Sequence, residues 1–270
     1  MLVNKRLWLF LILSLLAMPA MAETISIPGT GDGTAVLKAV AAAFSLQHPG
    51  VKIELPTSDN RNGGIKGSGG GIKAAGTDRT LLARVAREIK SKEAHYGLSY
   101  LPYAKIPATF FVTPDVPVEY LSHHQICDIY SGKLINWAAV GGPDQPITVI
   151  RREEGDSTLS VLRKSFPGFD QIKITDKALL IKKTPEVFQV MREKKFAIAF
   201  GPYDVAKNSD VQILKIDGRS PTFSGYPSMT TLGLVYKKEK LTPTAKQFLD
   251  FAISHEANLA IIVAGGIPLN

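Results

Sequence analysis

With a single cysteine, Cys127, in 270 residues, the chain has no partner for an intrachain disulfide and cannot build a metal site from several thiolates. It also lacks the glycine period of collagen and the composition of a coiled coil or a disulfide scaffold. Beyond residue 22 no apolar run reaches the length of a membrane span, and the early run from Leu7 to Leu16 is short for one. The basic pairs Lys182-Lys183, Lys194-Lys195 and Lys237-Lys238 are scattered and carry no interleaved aromatics. That pattern reads as a solvated surface, not as a nucleic-acid-binding face. A composition 45% hydrophobic and 21% charged excludes intrinsic disorder, and the length allows one large or two medium domains.

What is present begins with a leader. Lys5 and Arg6 form a basic start, the apolar run follows, and Ala20-Met21-Ala22 supplies small residues before Glu23. Residues 1–22 are therefore expected to be a secretory signal peptide, cleaved after Ala22, with the mature chain exported and soluble. Without the leader the formal charge falls from +8 to +6, with 30 basic against 24 acidic residues. An exported basic protein suits small anions or an anionic surface.

The remaining pattern alternates strands and helices, which predicts an α/β fold. Thr24 to Ile27, Val51 to Leu55, Thr109 to Val112, Pro146 to Ile150 and Phe196 to Phe200 read as strands. Ala35 to Phe44, Val118 to Tyr130 and the segments opened by Thr184-Pro185 and Thr242-Pro243 read as helices, with Thr184 and Thr242 as caps. Ala245, Phe248, Leu249, Ala252 and Ile253 mark one helical face. GGIK recurs at Gly63 and Gly70 as a local echo. Tyr130, Trp137 and Cys127 are expected in the core, and His123-His124 at an exposed helix start.

Three segments share one physical character: Gly29 to Thr34, Gly67 to Gly71, and Arg152 to Thr158. Each is rich in Gly, Ser or Thr and opens a helix. A helix start offers unpaired N–H groups and partial positive charge to an anion, glycine lets the ligand reach the backbone, and hydroxyls add donors. One such loop is an ordinary cap; three together, with Arg152 beside the last, point to an oxyanion site.

These segments resemble the periplasmic phosphate-binding proteins of ABC importers, in the type II periplasmic-binding-protein fold. GSGGGIKA at Gly67 to Ala74 is similar to that family's second anion loop. Asp128 to Trp137 resembles its IY-G-K-I-NW segment, Ala83 to Lys90 the segment after the second-loop helix, and Phe248 to Ser254 its C-terminal helix. The resemblance implies two α/β lobes of mixed sheets flanked by helices around a central cleft. Lobe one would be 23–107 plus 226–270, and lobe two 108–225. It implies a monomeric periplasmic receptor that captures phosphate or a related oxyanion, delivers it to an inner-membrane ABC permease, and needs no cofactor or metal. The residues it places at the anion are Gly33, Thr34, Ser68, Gly69, Arg152, Asp156, Ser157 and Thr158, with Arg84 and Arg87 as nearby cations.

Two positions depart from the family pattern. Gly155-Asp156-Ser157-Thr158 puts a carboxylate where the family has a serine, and the family's proton-accepting aspartate falls at Ala86. Asp156 is therefore a candidate acceptor for a ligand proton, or simply a helix cap. Other readings stay open: a secreted anion-binding or adhesion protein uncoupled from transport, and a GDSL-like serine esterase with Ser157 and His255. A dinucleotide site in GTGDGT fails for want of a glycine at its sixth position.

Overall fold

The computed structural model describes residues 23–56, 65–223 and 225–269. The leader lies outside these residues, as does Thr57 to Gly64 with the first half of the first GGIK. The first half runs β1 (Glu23–Ser26), α1 (Thr34–Gln47), β2 (Val51–Glu54), α2 (Gly67–Gly76), β3 (Leu82–Val85), β4 (Ser99–Val112), β5 (Tyr120–Leu121) and α3 (His123–Ser131). The middle adds β6 (Thr148–Arg152), α4 (Ser157–Ser165), β7 (Leu179–Ile181), α5 (Thr184–Glu193), β8 (Ala197–Pro202) and α6 (Tyr203–Ala206). The rest is β9 (Gln212–Ile213), β10 (Lys215–Ile216), β11 (Met229–Tyr236), α7 (Pro243–Ala252), α8 (His255–Val263) and β12 (Ile267–Pro268). No helix among the described residues is long and apolar enough to cross a membrane.

β4 organises the molecule. From Ser99 to Pro107 it pairs antiparallel with β11, whose other edge takes β3; from Ala108 to Val112 it pairs with β8. An antiparallel part (β3, β11, β4, β12) and a mixed part (β4, β8, β6, β7, β9) thus share β4 and form a single hydrogen-bonded path, β3-β11-β4-β8-β6-β7, with β9 and β12 added on β4. Separate cores lie on this frame. One gathers Phe110, Tyr130, Trp137, Leu159 and Phe200; another gathers Ile25, Val36, Phe44, Leu232, Phe248 and Ile261. From Ile106 to Val112 every residue of β4 is buried, as fits a strand covered on both sides. Tyr130 and Trp137 are fully buried, Cys127 nearly so, and His123 opens α3.

Several elements differ from the sequence reading. The helix expected from Val118 starts only at His123, because Ser122 caps it by accepting from the Gln125 amide at 3.1 Å, and Tyr120–Leu121 is instead a strand on β10. Arg84 lies on the buried strand β3, paired with β11, and Arg87 just beyond its end; the run LARV is buried throughout and shows no alternation. Gly67 to Gly71 is the first turns of α2 itself, not a loop before it. Thr184 does not cap α5; its hydroxyl accepts from Arg152 at 2.8 Å. Ile253 leaves the buried face of α7 and is 40% exposed.

Candidate functional site

The first loop is built on β3. Gly29 and Arg84 bridge as strands do, with the Thr30 amide donating to the Arg84 carbonyl at 3.2 Å and the Arg84 amide donating to Pro28 at 2.9 Å. A Cβ on Gly29 would stand 2.0 Å from the Arg84 carbonyl oxygen, so only glycine permits this approach. The Arg84 side chain then turns back over the loop and donates to the carbonyls of Thr30 (2.6 Å), Ile27 and Pro56 (2.9 Å). Burial pulls its pKa down to about 10. Gly33, left-handed at φ 71°, carries the chain into α1.

α2 seats beside this loop. A Cβ on Gly71 would meet Gly29 Cα, Ala83 Cβ and the Arg84 carbonyl, each at 3.3 Å. Three residues earlier, Ser68 is buried and its hydroxyl oxygen accepts from the Ala86 amide at 3.0 Å, with no bond donated by its O–H among the described residues.

The third segment comes from the other core. β6 ends at Arg152, whose guanidinium donates to the carbonyls of Ile181 (3.1 Å) and Lys182 (3.0 Å) and to Thr184 Oγ1 (2.8 Å), and forms an ion pair with Asp156 Oδ2 (2.8 Å). Asp156 caps α4 with its other oxygen, accepting from the Leu159 amide at 3.0 Å. Across the gap, the Ser157 hydroxyl donates to Asp32 of the first loop. Asp32 is 4% exposed and Asp156 8%. Burial raises the pKa of both carboxyls, and their mutual repulsion raises that of Asp156 further; Arg152 acts the other way on both, and the Ser157 hydrogen bond on Asp32. Thr158 Oγ1 is buried beside Asp32 without hydrogen-bonding geometry. The arrangement brings two helix starts, α1 and α4, to one contact lined by hydroxyls, amides, one guanidinium and two acids.

A model of the PBP superfamily domain matches residues 18–256. The chain belongs to the PBP superfamily. The phosphate-binding protein PstS of Bacillus subtilis is 24% identical to it over 254 residues, 91% of this chain and 81% of that one. PstS of Borreliella burgdorferi is 23% identical over 202 residues, 70% of this chain and 72% of that one. Among solved structures, a phosphate ABC transporter substrate-binding protein of Clostridium perfringens, crystallised with phosphate, shares 27% identity. It superposes at a TM-score of 0.79 over 92% of this chain and 100% of that one. A phosphate transport receptor of Vibrio cholerae shares the fold at a TM-score of 0.63 and 22% identity, over 91% and 99%. The fold is that of the type II periplasmic binding proteins.

In this PBP-superfamily chain the residues singled out by sequence divide into two groups. Gly33, Thr34, Arg152, Asp156, Ser157 and Thr158 stand around the contact between the first and third segments, and Ser68 and Gly69 lie on the helix seated against the first. The Thr34 hydroxyl is occupied, donating to the Gly31 carbonyl at 2.8 Å. Arg84 and Arg87 are not open cations. Arg84 holds the first loop, and Arg87 is taken by Glu93 through two 2.8 Å bonds. Two acids were missed. Asp32 lies among glycines that suggest an anion cradle, and Asp204, on a four-residue helix, is fully buried with no local pattern to announce it. The esterase arrangement is not assembled: among the described residues Ser157 bonds to Asp32, while His255 sits at the start of α8 with Asn258. No group of His, Cys, Asp and Glu among the described residues could hold a metal ion.

Proposed function

We propose that this chain is an exported, monomeric solute-binding protein that captures an inorganic oxyanion, phosphate foremost, and hands it to an ABC permease of the inner membrane. Residues 23–107 with 226–270 form one lobe and 108–225 the other, and the ligand draws them together. The observation that carries this reading is the meeting of Ser157 with Asp32: it joins the start of α4 to the start of α1, across the two cores. Membership of the PBP superfamily and the printed functions of the PstS relatives support it. Cleavage after Ala22 and residence in the periplasm belong to the same proposal.

Binding sets the electrostatics. An oxyanion entering here would be held by helix-start amides, by the Ser68, Ser157 and Thr158 hydroxyls and by the Arg152 N–H groups left outside its three hydrogen bonds. Asp32 and Asp156 repel a fully ionised anion but accept a hydrogen bond from a protonated one, so phosphate is favoured over sulfate. Asp32, which touches the third segment, is better placed than Asp156 to accept that proton, because Asp156 is already shared between Arg152 and the cap of α4. Calorimetry of the purified protein against phosphate, sulfate, molybdate and tungstate tests the reading. Phosphate is expected to bind at roughly micromolar affinity, about −8 kcal/mol; no heat with any of the four anions would overturn it.

A further inference from the structure

Beneath the first turn of α1 lies a carboxyl group that no hydrogen bond holds. Asp204 on α6 is 0% exposed, and neither of its carboxylate oxygens has a partner. Buried polar groups are almost always partnered, so one left without a partner calls for a reason. α6 packs on β4, β8 and α1. From the loop before α1, Asp32 faces Asp204; from β4, Tyr103 faces it, with Arg84 beyond that ring. β8 offers no titratable side chain, Lys38 of α1 is exposed, and Lys207 at the end of α6 turns away to the Val263 carbonyl at 2.7 Å. The Ala35 and Val205 amides face the carboxyl outside hydrogen-bonding geometry. The charged group acting most on Asp204 is therefore another acid, the one that receives Ser157.

We infer that Asp204 makes oxyanion capture at the Asp32–Ser157 contact proton-linked, holding a proton while the site is filled and so setting how affinity changes with pH. This rests on the reading of the site given above. An anion brought to the starts of α1 and α4 adds negative charge beside Asp32 and Asp204, and each such charge favours the neutral carboxyl. Burial, reinforced by Asp32, already pushes Asp204 up to about 7, so its proton is gained or lost near neutrality. Below that range Asp204 is neutral and does not oppose the ligand. Above it, an ionised Asp204 repels the ligand from within the protein, where no counter-ion screens it.

The test is binding of inorganic phosphate to the purified protein and to Asp204→Asn, by calorimetry at about pH 5.5 and pH 8.5. The affinity ratio of variant to wild type cancels the ionisation of phosphate itself. It is expected to be near one in acid and at least about tenfold in favour of Asp204→Asn in base, the scale of one unpaired charge acting inside the protein. A ratio that does not change with pH overturns the inference. Should the variant fail to fold, wild-type titrations near pH 7 in two buffers of different ionisation enthalpy decide it: proton uptake beyond that of phosphate supports the inference, and none beyond it overturns it. A wild-type protein that binds no phosphate at either pH overturns the reading of the site, and the inference with it.

Discussion

Arg152 commits three of its five N–H donors to hydrogen bonds within the protein and pairs its charge with Asp156. Its removal therefore acts twice. Arg152→Ala leaves Asp156 buried without its ion-pair partner, which should lower stability by about 3–5 kcal/mol in urea unfolding. It should also weaken phosphate binding at least about thirtyfold, the loss of one charge-assisted bond. Arg87→Ala makes the contrast: with Glu93 as its partner, this arginine should leave phosphate affinity unchanged, and a drop in calorimetry would return it to the site. Asp156→Ser keeps a capping oxygen for α4 but removes a negative charge, so sulfate affinity should rise relative to phosphate; an unchanged ratio would leave Asp156 only its structural roles. The sequence exposed part of this chemistry. Arg152, Ser157 and Thr158 were legible because a helix start beside arginine is a local pattern. Asp32 was not, since its chemistry depends on Ser157, far away in the chain, and Asp204 was not, because a lone acid declares its burial only after α6 has packed.

At the scale of elements, glycine sets how closely the site's parts approach. A Cβ on Gly33 would come within 2.4 Å of a Leu232 methyl, and its φ of 71° disfavours any side chain. Gly33→Ala should therefore cost about 1–3 kcal/mol by strain and overpacking, shown as a lower urea midpoint with the slope unchanged. Gly71 is milder: its three neighbours at 3.3 Å must each yield a little, and α2 should shift relative to Gly29. Helices with their own caps, such as α7 behind Thr242 and Pro243, could be read directly from sequence. β3 could not, because Leu82-Ala83-Arg84-Val85 has no alternation when both faces are buried. The β5 and β10 pair, two residues each, is specified by register between distant segments and not by local propensity.

For the molecule as a whole, three buried acids govern the response to pH. Asp32, Asp156 and Asp204 all have pKa values raised above 3.8, chiefly by burial, with Asp204 at about 7. A carboxyl raised in the folded state stabilises the fold fully below its unfolded pKa, and that stability is lost as pH rises through the folded value. The thermal midpoint of the ligand-free protein should accordingly fall between pH 5 and pH 8, most steeply below about 6, where all three carboxyls still hold protons only in the folded state, and levelling off above about 7; a midpoint that rises over this range would contradict the burial of these groups. The α/β class was legible from alternating patterns, whereas the sharing of β4 between two cores was not, since only its last four residues, Thr109 to Val112, stood out as a strand. That shared strand imposes a timetable on folding. Ser99 must wait for Tyr236, and the core around Ile25, Val36 and Phe44 is unfinished until Leu232, Phe248 and Ile261 have been made. Pairings so distant along the chain form slowly. A nascent chain thus reaches its final residues with its first three strands still incompletely buried, so the half synthesised first is the half completed last.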